Sequence, residues 1–152
     1  MVGALEQARR VENWPENLTF ALEVWADQPF RWGENDCGLF MFRMVEAMTG
    51  IFPWEEELWN NKAAACALIK EAGSLSKAVE GIAERHEWPR RRSARLSQRG
   101  DAVVFLNGRG QRCCGICIGR GVVAPGPYGL ELHDLERVVR AWEIPLEGGP
   151  DA

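Results

Sequence analysis

The segment from Asn35 to Gly50 constrains the fold of this chain more than any other. Cys37, Phe40, Met41, Met44, Val45 and Met48 recur at i, i+3, i+4, i+7, i+8 and i+11, the spacing of one apolar helix face. Asn35 and Asp36 are good N-cap types ahead of it, and Thr49-Gly50 is a suitable C-terminal stop. A helix this apolar must be buried against other elements, and it places Cys37 in its first turn, on the core-facing side.

The remaining elements follow from periodicity and punctuation. A helix is expected over 15–28, with Pro15 at a first helical position and Leu18, Leu22 and Trp25 as its stripe. Residues 51–61 read as a Trp- and Glu-rich loop. Helices are expected over 62–72, with Cys66 packed among alanines, and over 75–85, separated by Gly73-Ser74. Residues 86–99 lack periodicity and carry Arg90, Arg91, Arg92, Arg95 and Arg99, as an arginine-rich surface connection would. After Arg99-Gly100-Asp101 the period changes to two. Strands are expected over 102–106, 113–119, 121–124, 130–132 and 138–144, with a turn at Pro125-Gly126-Pro127. Helices first and a strand meander afterwards indicate an α+β domain, with N-terminal helices packed on a C-terminal antiparallel sheet. At 152 residues the chain fits one domain over 1–152, with 1–14 and 146–152 as peripheral tails.

Composition removes several functional classes. A net charge of −4 argues against a nucleic-acid binder. No apolar run is long enough to span a membrane, and the N-terminal Glu6, Arg9, Arg10 and Glu12 leave no room for a secretory signal. Five cysteines, two of them adjacent at 113 and 114, suit reduced thiols better than a disulfide framework. Cys114 and Cys117 have a C-x-x-C spacing but no second pair, and in a strand they face opposite sides. No metal and no cofactor is therefore expected.

The residues able to carry chemistry are few. Cys37 at a helix N-terminus could form a stabilised thiolate and act as a nucleophile; a buried structural thiol is the plainer alternative. Of the two histidines, His86 ends a helix and His133 precedes Asp134. Each suits an exposed or capping position, and His133, coming from the sheet half beside a carboxylate, is the better general base.

These pieces together resemble the NlpC-type branch of the papain-like cysteine peptidases, and more narrowly a phage-encoded group from tail gene clusters. The matching residues are Pro29-Phe30-x-Trp32-Gly33-x-x-Asp36-Cys37, Thr49-Gly50, Arg99-Gly100-Asp101, Gly115-x-Cys117-x-Gly119 and Arg140-Ala141-Trp142. The resemblance implies a papain-like fold and a Cys37 nucleophile acting on cell-wall peptide amides. It also implies Trp32 and Asp36 shaping the site, and a location at the tail tip or hub of the virion after synthesis in the host cytoplasm. Phage tail proteins would be the partners. One departure stands out. The strand position at which the family carries its histidine base is Cys113 here, and the third polar position falls near Ala124. His133 could supply the base instead, the fold could survive as a structural tail component, or the thiol could handle acyl groups without hydrolysis.

Overall fold

The computed structural model describes residues 6–148. It is an α+β structure of four helices followed by a five-stranded antiparallel sheet. The helices are α1 (Trp14–Trp25), α2 (Cys37–Thr49), α3 (Lys62–Ala72) and α4 (Leu75–His86). The strands are β1 (Ala102–Leu106), β2 (Arg112–Cys117), β3 (Val122–Gly126), β4 (Gly129–His133) and β5 (Val138–Trp142), in the order β4-β3-β2-β1-β5.

Helix α2 is the centre of the molecule. The Asp36 carboxylate accepts the Leu39 N–H and so caps it, and Gly50 ends it in the left-handed region at φ 81°, a conformation glycine adopts without steric cost. Phe40, Met41, Met44, Val45 and Met48 are fully buried. They meet Val104, Cys114, Ile116 and Val123 from one face of the sheet. Each such side chain contributes about 1.5–3 kcal/mol on burial. The opposite face carries Val103, Phe105, Cys117, Val122, Ala124, Val138 and Ala141, covered by Ala94 and Leu135 from two short 3₁₀ turns. Alternation along β2 sends Cys114 and Ile116 toward α2 and Cys117 to the opposite face, while Cys113, partly buried at the leading end of the strand, lies within reach of the first residue of α2.

Several sequence expectations need correction. Residues 6–14 and 146–148 are not peripheral: Ala8 is fully buried, Arg10 bridges to Leu146, and the Val11 N–H donates to Met48 O at 3.0 Å. The rest of the two expected tails lies outside the described residues. His86 is wholly buried rather than exposed. Its Nδ1 accepts the Ala8 N–H at 3.0 Å and its ring stacks on Trp88, so it anchors the N-terminal segment. The 86–99 connection is not simply solvated. Arg91 forms a bidentate pair with buried Asp101 at 2.9 and 3.0 Å and a second ion pair with Glu143 at 2.9 Å. Cys66, expected to pack, is exposed. Pro125 and Gly126 belong to β3, so the hairpin turn sits one to two residues later than expected.

Candidate functional site

The stretch from Trp32 to Gly38 forms one hydrogen-bonded unit. Asn35 Nδ2 donates to Gln28 O and Pro29 O, folding the turn back on itself. Asp36 is 1% exposed and is fully used by donors. Its Oδ1 caps α2 through Leu39 N–H, while Oδ2 accepts the Gly33 N–H at 3.0 Å and the Trp59 Nε1–H at 2.6 Å. Gly33 has φ +78°, and a Cβ there would lie 2.5 Å from the Asn60 backbone, so only glycine lets the 51–61 loop approach. A Cβ at Gly38 would already be 3.2 Å from the Trp59 ring. Through these contacts the segment positions Cys37 and docks the tryptophan loop beside it.

Cys37 is partly buried and its sulfur faces the start of β2. Strands β2 and β3 pair at Ile116↔Val123 and Cys117↔Val122, which leaves the leading part of β2 without a β3 partner. Cys117 N–H bonds toward β1 and Ile118 N–H toward Gly121 on the β3 side. By the alternation of an antiparallel ladder, the Cys114 N–H also points to the β3 side, and there it meets the Cys37 sulfur. The thiol sits in a notch formed by Cys113, Cys114 and that N–H. The Cys113 thiol favours the Cys37 thiolate, but the Cys114 thiol and burial oppose it and prevail, holding the Cys37 pKa well above its ordinary value. Cys113 is pushed upward too, by Cys37 and by burial. A raised thiol pKa means a neutral, weakly nucleophilic sulfur at neutral pH.

Neither histidine is brought to this sulfur. His133 lies on β4 opposite Val122, with its ring 4.6 Å from that of Phe105, on the face of the sheet turned away from α2. The Phe105 ring reaches it across Gly115, where a Cβ would meet that ring at 3.0 Å. Burial, the larger effect, lowers the His133 pKa against the raising effect of Glu131. His133 therefore packs against Phe105, and the groups that act on the Cys37 thiol are Cys113 and Cys114. Cys113 occupies the start of β2 beside Cys37, as its sequence position requires, and Ala124 is buried and apolar. Trp32 and Asp36 line the same cavity as Cys37. Among the described residues, no group of three or more His, Cys, Asp or Glu side chains is placed to hold a metal ion.

A cavity of ≈ 350 Å³ opens at Cys37 and runs between the 54–59 loop, α3 and α4. Trp54 stacks on Phe42 with ring centroids 5.8 Å apart, and Trp59 meets both edge-on. Leu68, Ile69 and Leu75 form the opposite wall. The roles of Trp54 and Trp59 are not evident from the sequence, which marks them only as part of a Trp- and Glu-rich loop over 51–61. The available signal was a carboxylate at position 36 with more capacity than a helix cap needs, preceding an indole N–H in search of an acceptor.

A family model matches residues 9–144 and is described as a domain of unknown function, DUF6950. The chain belongs to the DUF6950 family. The matched span includes α1 to α4, all five strands and every residue of the notch. No curated protein matches the sequence. In this DUF6950 protein the motif around Cys37 is fixed by backbone and side-chain geometry, whatever chemistry the thiol performs. Among its described residues, no helix is long and apolar enough to cross a membrane.

Proposed function

We propose that this protein is an NlpC-type, papain-like domain that serves as a non-enzymatic structural component of a phage tail tip, its ancestral cell-wall peptide hydrolysis lost. The supporting observation is the notch. The nucleophile position is filled by Cys37, but its neighbours are the thiols of Cys113 and Cys114. Both histidines of the chain are engaged elsewhere, His86 with Ala8 and Trp88, His133 with Phe105. The nearest carboxylate in sequence, Asp36, is consumed by three donors. General-base assistance is worth about 10²–10⁴ in rate, and a neutral thiol without it makes a very poor peptidase.

The partners in this reading are other tail proteins, met through the exposed Arg90, Arg92 and Arg95 of the 86–99 connection. Arginine is among the residues enriched at interface hot spots. The test is a phage carrying Cys37→Ala in this gene, together with purified protein incubated with peptidoglycan. Normal tail assembly and infectivity, the chain present in virions and no release of new amino termini are the expected results. Release of amino termini that disappears in Cys37→Ala would restore the peptidase reading. Absence of the chain from purified virions would remove the tail assignment.

A further inference from the structure

We infer that the cavity at Cys37 is a binding site for a straight-chain carboxylate of about ten carbons, a function separate from the structural role above. The walls of the cavity include Ala65 to Ala72 along α3 and Leu75 to Arg85 along α4, which at 1.5 Å per residue span roughly 10–15 Å. A volume of ≈ 350 Å³ spread over that length leaves a cross-section of about 30 Å², the width of one alkyl chain rather than of a fused ring system. An apolar cavity of ~150 Å³ accepts a benzene ring, so ≈ 350 Å³ accommodates about ten carbons with its mouth open to solvent.

The walls are already assembled. Phe42, Trp54 and Trp59 pack on one another, and Trp59 is held by its bond to buried Asp36. A ligand would not have to order them, and such preorganisation favours binding. The charged lining residues locate the polar end. Asp36 is occupied by its donors, and Arg85 and Glu56 pair with each other at 3.9 Å. Glu71, Lys77 and Arg112 remain, and Arg112 stands beside Cys114 at the Cys37 end with no salt bridge among the described residues. A chain laid along α3 and α4 with its carboxylate at Arg112 matches both the apolar walls and the one lining arginine that makes no salt bridge among the described residues.

The experiment is isothermal titration of the purified full chain with sodium salts of hexanoate, octanoate and decanoate, each below its micellar concentration, and with decanol. Decanoate binds with 1:1 stoichiometry, and affinity falls about fourfold for each methylene removed. Arg112→Gln weakens decanoate by about three- to fivefold, as loss of an exposed ion pair should, and leaves decanol unchanged. Leu68→Trp, which fills the channel, abolishes binding of both; its urea midpoint reports whether it folds, and Arg112→Gln decides the question if it does not. No heat with decanoate, no dependence on chain length, or indifference to Arg112→Gln overturns the proposal. Tighter binding of a peptide ending in apolar residues with a free carboxylate than of decanoate also overturns it, and assigns the cavity to a protein C-terminus.

Discussion

Replacing Asp36 tests whether the motif around Cys37 is mainly architectural. In Asp36→Ala the cap of α2 is lost, at a cost of about 1 kcal/mol. The Gly33 N–H and the Trp59 Nε1–H, which donate to Oδ2 at 3.0 and 2.6 Å, lose their charged acceptor. Hydrogen bonds to charged groups contribute about 1.5–3 kcal/mol each. The three share one carboxylate and are not additive, so the expected loss is about 3–5 kcal/mol. Asp36→Ser keeps a capping oxygen but is too short to reach Trp59, and should recover about 1 kcal/mol of that loss. Urea denaturation followed by tryptophan fluorescence gives these values. A cycle combining Asp36→Ser with Trp59→Phe isolates the indole bond, which should couple by about 1.5–3 kcal/mol. A loss below 1 kcal/mol in Asp36→Ala, or no coupling in the cycle, would refute the view that Asp36 ties the loop to the helix.

Three further outcomes are expected. Burial holds the His86 pKa below its ordinary value of 6.5, so the unfolded chain takes up a proton first as the pH drops. The stability His86 contributes is then full above about pH 6.5 and is lost as the pH falls toward the folded-state pKa. His133 adds a slope of the same sign, and His86→Gln should flatten the urea midpoint against pH; an unchanged slope would contradict the assignment. Arg91→Met should cost about 3–5 kcal/mol, because it strands buried Asp101, and Arg91→Lys less, since the charge stays while the fork is lost; equal costs in thermal or urea melts would argue against the bidentate pair. Iodoacetamide at pH 7 should modify exposed Cys66 first and leave Cys37 largely intact, with Cys37 labelling rising only in strongly alkaline solution; mass spectrometry showing rapid Cys37 alkylation at neutral pH would contradict the raised pKa.

The sequence carried the elements well where one period dominated. The apolar face of α2 and the five strands are local patterns, and they lie within a few residues of their expected limits. What it did not carry were features that depend on contacts between distant segments. The burial of His86 needs Ala8, 78 positions away, and the Arg91–Asp101 pair turns one member of an arginine run into a buried anchor. Neither has a local signature. His133 is instructive in another way. Its parity on β4 follows from pairing with Val122, and Val122 faces away from α2. A one-residue shift in register would have sent it to the other face, so its distance from Cys37 could not be read before the pairing was known.

The motif around Cys37 has structural reasons that do not depend on any chemistry of the thiol. Gly33, Asp36 and Gly38 each have a structural reason to be what they are: a backbone approach to Asn60, three accepted hydrogen bonds, and room for the Trp59 ring. Gly100 is similarly confined, with φ +93° and a Cβ position 2.9 Å from Trp14, and Asp101 anchors Arg91. The Trp-Gly-x-x-Asp-Cys and Gly-Asp pieces therefore specify how α2, the tryptophan loop and β1 come together, and they would do so with any small residue at position 37. Under the proposed NlpC-type reading, chemistry would depend instead on position 113, where that family carries its histidine base and this chain carries Cys113. Placing histidine there is the converse experiment. Cys113→His puts an imidazole at the start of β2 facing the Cys37 sulfur, and an opposite charge that close would favour the thiolate. Its effect on Cys37 alkylation at neutral pH separates a notch that merely lacks its base from one whose geometry has closed to catalysis.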